Sequence, residues 1–311
     1  MATLNGIDKG YEFLANQLPA TPILSSWTID GMVGCKISFK SEHLQKTGSF
    51  KTRGALHNMR ILAEKESKGV ITHSSGNHGQ AVAWAAHQFS IPCTVVVPEN
   101  TPAAKIDAIE GYRARVVRCG NGIVDREETC DRLAKELSLD IIQPFDTVET
   151  IEGQGSLGLE LRSQLGEIES LFVSVGGGGL AAGLALALPD TTLYLVEPQG
   201  KELRMQLDGS HNDDQSALDT IADGIRVRII GDENKRILAN HPKVHIITVS
   251  EEEIREALIL IWTRLKQHVE PTAAVAFAGL RQVQMAASSP LPFSSTTVIL
   301  CGGNIDTSFI P

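Results

Sequence analysis

Short β-branched runs alternate with helical stretches along almost the whole chain, and this alternation restricts the fold more than any other feature. "GVITHSS" (69–75) precedes "NHGQAVAWAAHQF" (77–89), and "PCTVVVP" (92–98) precedes a helix around "AKIDAIEGY". "ARVVRC" (114–119), "DREETCDRLAKEL" and "DIIQP" follow. The order returns in "LFVSVGG", "LAAGLALAL" and "TLYLVEP". It returns again in "VHIITVS" (244–250), a long helix over 251–268, a second helix near 272–287 and "TTVILCGG" (296–303). Ser250 and Glu253 form a capping-box pair that would start the long helix. Such a pattern predicts an α/β protein whose mostly parallel sheets are covered on both faces. Two sheets suit it better than one: a compact four-strand unit, residues 68–146, inserted into a larger discontinuous domain built from 1–67 and 147–311. In open parallel sheets ligands sit outside the carboxyl ends of the strands, so functional residues are expected just after strands.

Composition narrows the partners. The formal charge is −9 with no long basic run, which argues against nucleic acid or an anionic membrane. The opening "MATLNGIDKGYEF" lacks the plan of a signal peptide, and the longest apolar run, "GLAAGLALAL" (179–188), is too short to span a bilayer. Five cysteines (35, 93, 119, 130 and 301) show no CxxC pairing and read as reduced thiols of a cytoplasmic protein.

Four segments carry candidate chemistry. "KTGSFKTRGA" (46–55) sets Lys51 between Phe50 and Thr52 at the expected start of a helix; it is either a solvated lysine or a nucleophile. "THSSGNHGQAVAWAA" (72–86) places Ser74, Ser75, Gly76, Asn77 and His78 at a strand-to-helix turn. That is an anion site suited to a carboxylate, or a helix start capped by Ser75 or Asn77. In "SVGGGGLAAG" (174–183), consecutive glycines let backbone N–H groups crowd round a phosphate at a helix N-terminus. Gly176-x-Gly178, with Glu197 ending the next strand, also approximates a dinucleotide fingerprint and so leaves a nicotinamide-dependent oxidoreductase open. "VILCGGNID" (298–306) ends a strand in Cys301, either a buried small hydrophobe or a ligand-facing thiol.

Taken together, and in this order, the four segments resemble the fold-type II (tryptophan-synthase-β-like) pyridoxal-phosphate enzymes, over nearly the whole chain. Within that family "QKTGSFKTRGA", "THSSGNHGQA", "TIADGI" and "EPTAA" (270–274) read most like the serine racemases and the related serine/threonine dehydratases. The resemblance implies a two-domain fold in which 68–146 closes over substrate and the remainder binds the cofactor. It implies that Lys51 forms a Schiff base with pyridoxal 5'-phosphate, Phe50 packs on the ring, and Asn77 bonds the ring oxygen. Gly176, Gly177, Gly178, Gly179 and Leu180 would hold the phosphate, and Cys301 would face the pyridine nitrogen. A thiol there is a weak neutral partner and should favour α-proton removal and β-elimination over transamination. Ser74, Asn77 and His78 would hold the amino-acid carboxylate, and Arg126 would close over it. Ser75 matches the racemases' opposite-face serine.

Two activities follow from the resemblance: serine racemisation with concurrent elimination to pyruvate and ammonia, or a dedicated L-serine/L-threonine or threo-3-hydroxyaspartate dehydratase. Ser75 favours the first. Val227, apolar where vertebrate racemases carry a serine, favours the second. A homodimer is the family expectation. The family's Mg²⁺ or Ca²⁺ site would use Glu197 and the Lys201 carbonyl, but Leu203 stands where an aspartate is expected, leaving Glu202 or water to compensate. An ATP activator site would draw on Ser26, Lys46, Thr47, Gln80, Tyr112 and Lys266, with Trp27 and Thr28 departing from the pattern.

Overall fold

The computed structural model describes residues 1–210, 216–286, 291–305 and 309. Its strands form two sheets. The larger has six strands in the order Ile23–Leu24, Lys36–Lys40, Ser295–Ile299, Ser170–Ser174, Thr192–Pro198 and Val244–Val249. All its pairings are parallel except the two-residue edge strand Ile23–Leu24. The smaller sheet runs Arg115–Cys119, Cys93–Pro98, Val70–His73 and Asp140–Ile141, parallel throughout. The central strands are continuous apolar runs because helices cover both faces. Ser170–Ser174 is buried at every position, and Cys93–Pro98 at all but the last. The apolar layer on the smaller sheet also draws on Leu14, Leu18, Ala55, Leu56 and Met59, which precede residue 68.

Helix Val148–Leu165, which apolar periodicity does not single out, is the element on which the site is hung. It packs against helix Lys51–Glu64 on one side and helix Gly179–Ala187 on the other. Glycines permit both contacts: a Cβ on Gly153 would lie 2.7 Å from Gly54 Cα, and one on Gly183 would lie 2.5 Å from Gly155 N. The same helix supplies Glu160 to a buried charge cluster. Arg53 donates to Glu42 through Nε and Nη2, both at 2.8 Å, and through Nη2 to Glu160 at 2.9 Å. Lys40 Nζ sits 2.5 Å from Glu160. Burial works to raise the Glu42 carboxyl, yet the Arg53 guanidinium holds it below its ordinary value. Arg53 is two residues past Lys51, so the cluster fixes the start of that helix.

The expected helix over 251–268 is interrupted. Ser250 and Glu253 do form the reciprocal cap, but the α-helix ends at Leu260, a π-turn covers Ile261–Leu265, and Lys266 adopts φ +60°. Trp262 Nε1 then donates to Val269 O at 3.0 Å and the indole stacks on His268. This turn brings Glu270 inward before helix Pro271–Ala286 begins, with proline at its first position, where a missing N–H costs nothing.

Candidate active site

Lys51 is the first residue of its helix, where the helix dipole disfavours a positive charge. Its Nζ donates to Pro144 O at 2.6 Å and lies 5.2 Å from the centroid of the Phe50 ring. Burial pushes the amine down to about 8, with Cys301 opposing. At pH 7 roughly a tenth is therefore an unprotonated primary amine, far more than for an ordinary lysine, and this is the form that attacks a carbonyl or takes a proton.

Cys301 lies against the same helix start, with Phe50 N donating to Cys301 O at 3.1 Å. Ser174 Oγ is 3.5 Å from its sulfur. Burial, and then the Glu270 charge, push the thiol up to about 12, so it stays neutral.

The glycine loop closes the next side. Gly178 adopts φ +93° and caps helix Gly179–Ala187. A Cβ on Gly177 would fall 2.1 Å from the Phe145 ring, and one on Gly179 would fall 2.7 Å from Phe145 O. Carbonyls of the loop are engaged: Gly177 O accepts from Gly231 N at 3.1 Å and from Asn234 Nδ2 at 2.8 Å. The N–H groups of Gly179 and Leu180, at the start of the helix, have no partner within it, and an anion such as a phosphate is what such a helix start can receive. Glu197 is not available to a dinucleotide ribose. Its two oxygens accept from Leu203 N and from Thr248 Oγ1, each at 2.8 Å.

At the turn after Val70–His73, helix Asn77–Gln88 is capped by Gly76 with no side-chain hydrogen bond. Neither Ser75 nor Asn77 is therefore spent on capping. Asn77 belongs to a directed network: Asn304 Nδ2 donates to Asn77 Oδ1 at 2.7 Å, Asn77 Nδ2 donates to Glu270 Oε1 at 2.8 Å, and Asn304 N donates to Glu270 Oε2 at 3.1 Å. Glu270 is fully buried, and burial with the Asp223 charge raises its carboxyl to about 8. His78 is buried 3.1 Å from Ile142 O. A carbonyl only accepts, so Nε2 carries the proton; burial and then the Lys51 charge push the ring down to about 3, which keeps it neutral. Ser74 Oγ accepts from Gly76 N at 3.3 Å. Ser75 is half-buried and has no hydrogen-bond partner among the described residues.

Other candidates lie apart. Arg126 bonds within its own helix start, to Gly122 O at 3.4 Å. The Lys46–Gly48 turn packs on helix Asn77–Gln88, which places Lys46 and Thr47 beside the helix that carries Gln80; Tyr112 packs on the small-sheet core. Ser26 instead donates to Arg264 O at 3.2 Å, next to Lys266. The residues expected to hold a hard cation do not fit one. Glu197 is occupied as above, the Lys201 carbonyl accepts from Gln206 Nε2 at 2.7 Å, Leu203 is buried, and Glu202 is exposed to solvent. Among the described residues no three His, Cys, Asp or Glu side chains converge on a metal position.

Glu270, Asn304, Phe145 and Arg53 were not given roles from the sequence. Glu270 lies within the quoted "EPTAA", but a glutamate beside a proline carries no sign of burial.

A family model for pyridoxal-phosphate dependent enzymes matches residues 15–302. The serine racemase of Dictyostelium discoideum is 36% identical over 316 residues, covering 99% of this chain and 96% of that protein. An L-threo-3-hydroxyaspartate ammonia-lyase of Saccharomyces cerevisiae is 37% identical over 292 residues, covering 92% and 88%. The crystal structure of a pyridoxal 5'-phosphate-dependent aspartate racemase superposes with a TM-score of 0.93 at 38% identity, covering 98% of this chain and 96% of that one.

Proposed function

The chain belongs to the pyridoxal-phosphate dependent enzymes, and from that premise we propose that it is a serine racemase. It interconverts L- and D-serine and also eliminates water from serine to give, after hydrolysis, pyruvate and ammonia. The cofactor, when bound, acts as an electron sink that acidifies the proton on the substrate's Cα. The residues do the rest. The glycine loop and helix start hold the phosphate. Ser74, Asn77 and His78 hold the carboxylate, His78 through its backbone N–H at the helix start, since the one proton of its neutral ring is given to Ile142 O. Lys51, made easier to deprotonate by burial, takes the Cα proton on one face. Ser75 returns a proton to the other. The neutral Cys301 thiol leaves the pyridine nitrogen without an acidic partner, which moderates the sink.

One observation supports racemisation over simple elimination: the Ser75 hydroxyl, in the turn that starts helix Asn77–Gln88, is half-buried and hydrogen-bonded to no described residue. Elimination needs a single base, and Lys51 suffices for it; racemisation needs a second acid. Val227 favours the other reading, a dedicated hydroxy-amino-acid dehydratase, and so does the likeness to the yeast ammonia-lyase. Incubating the holoenzyme with L-serine and quantifying D-serine and pyruvate together separates the two. D-serine beside pyruvate supports the racemase, and pyruvate alone assigns the dehydratase.

The same proposal has the protein work in the cytoplasm as a homodimer, with the 68–146 unit moving to bring Arg126 over the substrate and exclude water. No helix among the described residues is long and apolar enough to cross a membrane. Lys46, Thr47, Gln80 and Tyr112 would form the nearer part of an ATP site, tested by the thermal shift that added ATP produces.

A further inference from the structure

The turn after strand Thr192–Pro198 is where the family resemblance calls for a divalent cation, and it is built around a side chain instead. Lys201 is 1% exposed. Its Nζ donates to Val227 O at 2.7 Å and to Arg228 O at 3.0 Å. Glu197, 2% exposed, attracts the amine through space. The Gln206 amide ties the same two strands of chain a second time, donating to the Lys201 and Arg228 carbonyls and accepting from Ile230 N at 2.9 Å. A hard cation on a glutamate and backbone carbonyls performs this task elsewhere: it neutralises a buried carboxylate and gathers carbonyl oxygens from two segments. An amine with up to three donors and no acceptor performs it equally well. Leu203 is then explained. An aspartate there would be a second carboxylate facing one amine, whereas a fully buried leucine leaves the charges matched.

We propose that the Lys201 side chain stands in place of a structural divalent cation, so that this chain holds the turn after Thr192–Pro198 to the segment 225–230 without metal. The consequence reaches the active site. The clamped segment continues through Ile225, whose side chain lies 2.9 Å from where a Cβ on Gly176 would be, and Gly224, whose N–H donates to Thr272 Oγ1 at 3.0 Å. Lys201 is thus a positioning residue for the wall of the glycine loop. The inference does not depend on the racemase reading, because its readout is unfolding rather than turnover.

The test is thermal unfolding of the holoenzyme with EDTA, MgCl₂ or CaCl₂. The wild type should melt at the same temperature, to within about 1 °C, in all three. Lys201→Met should lower the melting temperature by roughly 5 °C or more, since two buried carbonyls and a buried carboxylate lose their partner. The double variant Lys201→Ala, Leu203→Asp restores an empty oxygen-lined position and should regain stability only with Ca²⁺ or Mg²⁺. A wild type that EDTA destabilises and a divalent cation rescues overturns the proposal. So does a double variant that retains the bound-cofactor absorption, and hence the fold, but that neither cation stabilises.

Discussion

Two lysines in this molecule are withdrawn from water, Lys201 fully and Lys51 in part, and lead different lives. Lys201 is pushed down to about 7 and Lys51 to about 8, so basicity alone would make Lys201 the more reactive amine. Their surroundings reverse that ranking. Lys201 has two carbonyl acceptors and a facing carboxylate, so its N–H donors are committed to holding two segments together. Lys51 has one carbonyl acceptor, an aromatic ring and a neutral thiol. Burial lowers the proton affinity of any lysine; the number of acceptors around it decides whether the freed amine has anything to do.

The sharpest way to break the comparison is to remove each amine in turn. Lys51→Ala should abolish turnover and the visible absorption of lysine-bound cofactor while the chain still unfolds cooperatively. Lys201→Met should keep that absorption and lose heat stability. A Lys51→Ala enzyme that still converts serine would mean that the reactive amine lies elsewhere.

Next in size is Ser75→Ala. The hydroxyl caps nothing, so stability should be unchanged within about 0.5 kcal/mol. D-serine formation should fall by roughly 10² or more, as expected for loss of a positioned acid, with pyruvate formation from L-serine within a few-fold of wild type. Undiminished D-serine production would leave the opposite-face proton to another group.

Cys301→Asp acts more gently. A carboxylate in place of a thiol held near 12 would give the pyridine nitrogen an anionic partner, and would do so beside Glu270. The visible spectrum and the ratio of pyruvate to D-serine should both shift, the ratio by about tenfold or less. No change in either would make Cys301 a core thiol and remove it from the site.

Much of this was legible in the sequence. The central strands of both sheets, such as Ser170–Ser174 and Cys93–Pro98, are apolar runs, and runs of that kind are readable because both faces are buried. The lysine, glycine and Ser-Ser-Gly-Asn-His segments sit just after strands or at helix starts, where local chemistry marks them. Three things were not legible. Helix Val148–Leu165 holds its neighbours through Gly153 and Gly155, and glycines carry no hydrophobic period. The helix over 251–268 is ended by a π-turn and a left-handed Lys266, with no glycine or proline to announce it. The roles of Arg53, Lys201 and Glu270 each depend on at least one partner more than 20 residues away, Glu160, the Val227 carbonyl and Asn77, and no local pattern encodes those.

Glu270 gives the smallest effect and the most specific one. Both of its oxygens accept N–H groups, from Asn77 and from Asn304, and both contacts favour the carboxylate; burial outweighs them and raises the carboxyl to about 8. Between the ordinary value of 4.5 and about 8, the folded protein therefore keeps a proton that the unfolded chain releases. Stability from this group is complete below the unfolded value and is lost as pH rises through that window. The ceiling is roughly 1.4 kcal/mol per pH unit, so a net loss on the order of 1–3 kcal/mol between pH 5.5 and 8 is expected. Glu270→Gln cannot titrate, so urea unfolding at those two pH values should show a flatter dependence in the variant than in the wild type. The variant also turns an N–H donor towards Asn77 or Asn304, which disturbs the amide that resemblance aims at the cofactor's ring oxygen. A spectroscopic shift of the bound cofactor without any change in its carbon chemistry should accompany the flattened slope. Equal slopes in the two proteins would mean that Glu270 is ionised throughout, and that the Asn77 amide is held by a full charge rather than by a neutral acid.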